Sequence, residues 1–335
     1  MFDKHPAERR FFYSLNYKFN FQNMGHLQTK ALPYAFFQGK VVPVENAQVN
    51  IQTNALQYGT GIFGGIRGYY NKKESYISIF RLHDHMSRFV NSLKILGESI
   101  EYSKNELINI TTELMKKNAP KTDTYVRPFA YAGSLSLSPN LERDNPFDFA
   151  EYMVSLGDYL PTDKGVTACV SSWRRISDNA IPSRAKITGG YINSALAKKE
   201  ANQNGFDEAI FLNEAGNVAE GSAMNLFIVR NGVLITPSKS DDILEGITRR
   251  SVIQFAMDLN IPVEERTIDR SELYIADEAF FCGTGAQVAW IKEIDHRKVG
   301  TAKRGKIAGT IQDLFFKVVR GDEKKYGDWR TEIVV

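Results

Sequence analysis

The chain has 335 residues, 43% of them hydrophobic, with 42 Lys plus Arg against 39 Asp plus Glu. That is enough apolar material for a sizeable core and, at roughly 150 residues per domain, for about two domains. The net charge of +3 comes from interspersed signs without a long basic tract, which argues against a nucleic-acid surface, and no window approaches the roughly 20 apolar residues of a membrane span.

Residues 1–33 read as an extension. Its start is aromatic and mixed in charge, with no continuous apolar stretch of the kind a secretory signal carries, and it is expected to pack on a surface or a partner. "YAFFQGKVVPV" (34–44) reads as a hairpin turning at Gln38-Gly39. "SYISIFRLHDHMSRFVNSLKILG" gives a strand to Phe80, then a helix with apolar residues at Met86, Phe89, Val90, Leu93 and Leu96, stopped by Gly97. "TYVRPFAYAGSLSLSP" and "FDFAEYMVSLGDYL" are further strands. "PTDKG" (161–165) is the strongest linker signal, and it divides the chain into a smaller domain over 34–157, an interdomain loop over 158–165 and a larger domain over 166–335.

The second part opens on the strand "GVTACVSSW". A loop follows, then a helix from Tyr191 to Asn204 stopped by Gly205. "DEAIFLNEAGNVAEGSAMNLFIVRNGVLITP" predicts three strands, the last two joined at Asn231-Gly232. "GITRRSVIQFAMDLNIP" predicts a helix after a tight turn, and "EAFFCGTGAQVAWIKEID" a strand broken by a glycine turn. Strands and helices mix without strict alternation, so the fold class is α+β rather than a doubly wound sheet. Cys169 and Cys282, the only cysteines, lie in apolar strand-like runs, which fits buried packing thiols in a reduced cytosolic compartment. No metal site is indicated.

Several positions carry possible chemistry. Lys186 stands among small and apolar residues in "AIPSRAKITGGY", unlike a surface lysine. "GITRR" puts backbone N–H groups and the Thr248 hydroxyl at a helix start, where an anion is favoured, although most such starts are plain caps. Arg81 lies between a strand and a helix, from where a guanidinium can grip a phosphate. Glu220 sits at a strand end, and Tyr125 and Arg127 share one face of a strand. Taken singly, each has an ordinary packing or solvation explanation.

Taken together and in order, "YGTGIFGGIR" (58–67), "FRLHDHMSRF" (80–89), "YVRP" (125–128), "SSWRR" (171–175), "IPSRAKITGGY" (181–191), "EGSAMNLF" (220–227), "GITR" (246–249) and "CGTGAQV" (282–288) resemble the branched-chain aminotransferases of the fold-type IV pyridoxal-phosphate enzymes. The likeness runs from about residue 34 to the C-terminus. It implies a two-domain fold like that of D-amino acid aminotransferase, with a smaller N-terminal and a larger C-terminal domain, acting in the cytoplasm as a homodimer or higher homo-oligomer. Its cofactor would be pyridoxal 5′-phosphate and its reaction the transamination of branched-chain L-amino acids with 2-oxoglutarate, with no nucleic acid or membrane as partner.

The resemblance also assigns roles. Lys186 would hold the cofactor as a Schiff base and move the substrate proton, Glu220 would pair with the pyridine nitrogen, and Tyr191 would bond the phenolic oxygen. Arg81, the amides of Ile247 and Thr248, and the hydroxyls of Thr248 and Thr284 would hold the phosphate. Tyr125 with the backbone at Thr284 and Gly285 would receive the α-carboxylate, and Arg127 a distal carboxylate. Phe63, Tyr159 and a Tyr58 supplied by a second subunit would wall an apolar pocket. Two positions depart from the pattern: Gly64 and Met224 stand where branched-chain enzymes commonly have glutamate. They leave open an (R)-amine or D-amino acid transaminase of the same fold, with a lyase or a non-catalytic basic binding module as remoter readings.

Overall fold

The computed structural model describes residues 29–141 and 146–335. Most of the expected N-terminal extension therefore lies outside the described residues. Its last part does not stand apart: Lys30–Ala31 already pairs with Val154 and Ser155.

The described chain builds two nine-stranded sheets. The first is antiparallel throughout and contains the Tyr34–Phe37/Lys40–Pro43 hairpin, Gly61–Phe63, Ile66–Asn71, Tyr76–Phe80, Thr124–Tyr131 and Asp148–Ser155. The hairpin turns where expected, because Gln38 and Gly39 both take the positive φ (49° and 79°) that a two-residue turn needs to match the strand twist. Helices Leu82–Ile95 and Lys104–Asn118 pack on this sheet through Leu82, Met86, Phe89, Leu107 and Leu114. The Lys104–Asn118 helix is opened by a capping box between Ser103 and Glu106.

The second sheet begins at Val166–Arg174, directly after the expected linker, and that strand pairs in parallel with both Glu208–Leu212 and Gln287–Ile294. Residues 205–237 hold four strands rather than the three expected: Glu208–Leu212, Val218–Gly221, Asn225–Arg230 and Val233–Thr236. The extra strand arises because Asn213 accepts the Asn217 amide at 2.9 Å and Gly216 takes φ +88°, closing a hairpin inside a polar stretch. The Asn231-Gly232 turn falls where the sequence places it.

The division at residue 165 does not hold for the C-terminus. Helix Lys306–Arg320 packs between the sheets, with Phe315 against Phe80 at 5.7 Å, and strand Arg330–Val334 then joins the first sheet beside Tyr76–Phe80. Two connections therefore link the sheets, and a cleft opens where they meet.

Candidate active site

Lys186 lies on the loop before helix Tyr191–Gln203, and that loop is stitched to the first sheet as a short antiparallel strand. The Phe63 amide donates to Lys186 O at 3.1 Å, Thr188 N to Gly61 O at 2.9 Å and Gly189 N to Gly59 O at 3.1 Å. The loop that carries the lysine is thus pinned to residues 59–63 at the edge of the first sheet. Its Nζ donates to Tyr191 Oη and lies 5.1 Å from the Phe63 ring. Burial, with the cations of Arg88 and Arg127 nearby, holds its pKa well below the ordinary lysine range, and Glu220 opposes this only in part. The amine faces the cleft and loses its proton more readily than an ordinary lysine. Burial and Glu220 push the Tyr191 phenol up, so it stays protonated and able to hydrogen-bond.

Glu220 is the penultimate residue of strand Val218–Gly221 and is buried. Arg175 meets its Oε1 at 3.0 Å, while Asn225 and the Leu244 amide donate to Oε2 at 3.0 and 3.2 Å. Burial raises the carboxyl pKa above the ordinary glutamate range, and Arg175 and the Leu244 N–H oppose this only in part.

Across the cleft, helix Ile247–Asp258 starts at Gly246 with no side-chain cap, so its first N–H donors are left for an anion. Gly246, Ile247, Thr248, Thr284, Gly285, Arg88, Tyr125, Lys186, Tyr191 and Glu220 all line one space of about 570 Å³ that is continuous with open solvent. A Cβ on Gly65 would lie 1.9 Å from Tyr125 Oη, so a side chain there would drive Tyr125 from the cleft.

Behind Tyr125, the Arg127 guanidinium lies 4.5 Å from the Phe63 ring centroid and 5.1 Å from that of Tyr125, to whose hydroxyl it donates at 3.4 Å. The Phe63 ring meets Tyr191 edge-on at 4.6 Å. Tyr159 packs beside Gly285. Tyr58 is away from its own chain's cleft, 39% exposed, with its hydroxyl on Leu137 O at 2.8 Å.

Arg81 is the expected site residue that the structure places elsewhere. It takes φ +52° at the start of helix Leu82–Ile95, and its guanidinium is occupied by Asp84 at 2.5 Å, Ser251 at 3.0 Å and the Trp329 ring at 4.2 Å. Arg88, seven positions on and about 10 Å along the helix axis, is the arginine in the cleft, where Glu245 O accepts from it at 3.4 Å. Arg175 is a second site residue outside the expected set, although the motif "SSWRR" contains it. Of the two departures from the family pattern, Met224 lines the cleft, and a Cβ at Gly64 would lie 2.5 Å from Pro128 Cγ, so glutamate there would require that contact to move. Both cysteines are free and buried.

Fold and cleft together bring a buried lysine amine, a buried carboxylate and the uncapped start of a helix into one solvent-open space, an arrangement typical of an enzyme site. The chain belongs to the amino-transferase class IV family, whose model matches residues 61–294. A protein named as a probable branched-chain-amino-acid aminotransferase from Aquifex aeolicus is 47% identical over 92% of this chain and 99% of its own length. Among solved structures, the branched-chain aminotransferase of the archaeon Thermoproteus uzoniensis, with norvaline, matches at TM-score 0.86 and 43% identity, covering 90% of this chain and 99% of that one. The branched-chain amino acid aminotransferase of Thermobaculum terrenum in its PLP-form matches at TM-score 0.86 and 37% identity, covering 90% of this chain and 98% of that one. The chain is an aminotransferase, and the binding-module reading is set aside.

Proposed function

We propose that this aminotransferase uses pyridoxal 5′-phosphate to exchange amino groups between branched-chain L-amino acids (leucine, isoleucine, valine) and 2-oxoglutarate. The observation that carries the proposal is the buried Lys186 amine, facing a cleft that also contains the buried Glu220 carboxylate and the uncapped helix start at Ile247 and Thr248. The donor set fits the cofactor: Arg88, the uncapped helix start at Ile247 and Thr248, and the Thr248 and Thr284 hydroxyls suit a phosphate, while Glu220 suits a protonated ring nitrogen and Tyr191 a phenolic oxygen. When bound, pyridoxal phosphate supplies an aldehyde for the amine and a ring that accepts the electron pair left at the substrate Cα.

The protein's own groups do the rest. Lys186, uncharged, can attack a carbonyl and afterwards take the proton from Cα. Tyr125 and the Thr284 and Gly285 amides receive the α-carboxylate. Phe63 and Tyr159, with Tyr58 of the partner subunit, enclose an aliphatic side chain, and Arg127 receives the distal carboxylate of glutamate. A homodimer is favoured by exposed apolar Ile51, Leu56, Leu135 and Leu137, the last of which accepts the Tyr58 hydroxyl on its carbonyl. A reduced, cytoplasmic location agrees with two free, buried thiols.

The test is a half-reaction screen. The cofactor-loaded protein is mixed separately with L-leucine, L-glutamate, D-alanine and (R)-1-phenylethylamine, and the absorbance of the lysine-bound cofactor is followed. L-leucine and L-glutamate should discharge it fastest. Faster discharge by D-alanine or the simple amine would overturn the substrate assignment.

A further inference from the structure

Arg67 carries a buried guanidinium that the reaction described above leaves without a task. It stands in strand Ile66–Asn71, 2% exposed, and its donors reach two separate segments beyond the strand. Leu156 O and Gly157 O, at the start of the loop between the sheets, accept from Nη2 at 3.4 and 3.2 Å, and Gly285 O accepts from Nη1 at 3.4 Å. Asp123 at 3.6 Å and Asp158 at 4.0 Å balance the charge.

Both carboxylates are themselves fixed. Asp123 takes two bonds from Arg320 at 2.8 and 2.7 Å and the Tyr70 amide at 2.9 Å. Asp158 accepts Gln287 Nε2 at 2.9 Å, and Gln287, two residues past Gly285, is buried with φ +57°. The network therefore grips the turn that follows strand Glu278–Gly283 from its two sides.

Such a network is a poor way to gain stability. An apolar side chain at position 67 would avoid the cost of desolvating a cation, and Nε finds no partner among the described residues. The individual bonds are long. What a planar guanidinium offers here is direction: one rigid group sets the carbonyls of two segments at once, which a lysine's point charge cannot do.

We propose that Arg67 is a positioning residue that sets the Thr284–Gly285 turn to receive the substrate α-carboxylate, and at the same time orders the loop that carries Tyr159. The inference rests on the reading of that turn as the carboxylate site. It predicts that loss of Arg67 selectively weakens ligands bearing a carboxylate and spares apolar contacts.

The experiment compares binding of two unreactive probes, 4-methylpentanoate and 4-methylpentan-1-ol, to the cofactor-loaded parent, Arg67→Lys, Arg67→Met and Gln287→Leu by calorimetry. The parent should prefer the carboxylate. Arg67→Met should weaken it by about tenfold or more while the alcohol stays within about twofold, and Arg67→Lys should recover part of the loss. Gln287→Leu loosens the same turn without removing the buried cation, so it should shift the carboxylate in the same direction even if Arg67→Met fails to fold. In turnover, KM for L-leucine should rise more than kcat falls. Equal weakening of both probes, or an unchanged carboxylate affinity in both Arg67→Lys and Gln287→Leu, would overturn the inference. A parent without preference for the carboxylate would instead overturn the underlying reading of the turn.

Discussion

The Glu220 carboxylate and the Arg175 guanidinium meet at 3.0 Å with both side chains largely out of solvent, and Asn225 and the Leu244 amide take the other oxygen. A carboxylate so held keeps one geometry. Glu220→Gln should keep the cofactor but lose the anion opposite its ring nitrogen, so single-turnover proton transfer should slow far more than cofactor affinity falls. The unpaired Arg175 should also cost stability, about 3 kcal/mol by the usual penalty for breaking a buried pair. Transfer rates within about a factor of two of the parent would show that the carboxylate does not serve the ring.

Arg88 and Arg81 separate in the same way. Arg88 lines the cleft, whereas Arg81 is spent on Asp84, Ser251 and Trp329. Arg88→Gln should weaken pyridoxal phosphate binding by about tenfold or more, and Arg81→Gln should leave it within about twofold while lowering Tm. Equilibrium titration of the cofactor with thermal unfolding of each variant decides the matter, and the opposite ranking would return Arg81 to the site.

Glu151 gives a pH dependence unrelated to catalysis. It is fully buried in strand Asp148–Ser155, Thr111 donates to its Oε2 at 2.8 Å, and Oε1 has no partner among the described residues. Burial pushes its pKa up to about 8. The folded state therefore holds this proton more tightly than the unfolded state. Its stabilising effect is complete below the ordinary glutamate pKa and is lost as pH rises through 8. Glu151→Gln, which cannot ionise, should gain on the parent by about 4 kcal/mol between pH 5 and pH 9, measured by denaturant unfolding. A difference that does not change with pH would contradict the assignment.

A shared active site predicts complementation between chains. Lys186→Ala and Tyr58→Ala should each be impaired, and co-refolding them should generate heterodimers in which one site combines an intact Lys186 with an intact Tyr58 of the partner subunit. Random pairing should restore about a quarter of parental sites. A mixture no more active than its components would leave Tyr58 as a surface residue bonded to Leu137 O.

Much of this molecule follows from short-range rules. The Gln38-Gly39 and Asn231-Gly232 turns, the helix stop at Gly205 and the second sheet's start after 161–165 lie where backbone sterics require them, because those constraints act over two to four residues. The capping box at Ser103 and Glu106 is equally local, written in the four residues "SKNE". The small and apolar surroundings of Lys186 set it apart from a surface lysine before any fold is known.

Tertiary structure alone decided which charges face one another. Arg81 and Arg88 are seven positions apart, but Arg81 stands before the helix in a left-handed conformation and is spent on Asp84, Ser251 and Trp329, so that Arg88 is the arginine that lines the cleft. Arg175 becomes a site residue through Glu220, 45 positions later, and strand Arg330–Val334 finds Tyr76–Phe80 about 250 positions earlier. No local propensity encodes such pairings. They are selected by the burial of two sheets against one helix and by the cost of leaving a buried charge without its counter-ion, terms that exist only once the chain is folded.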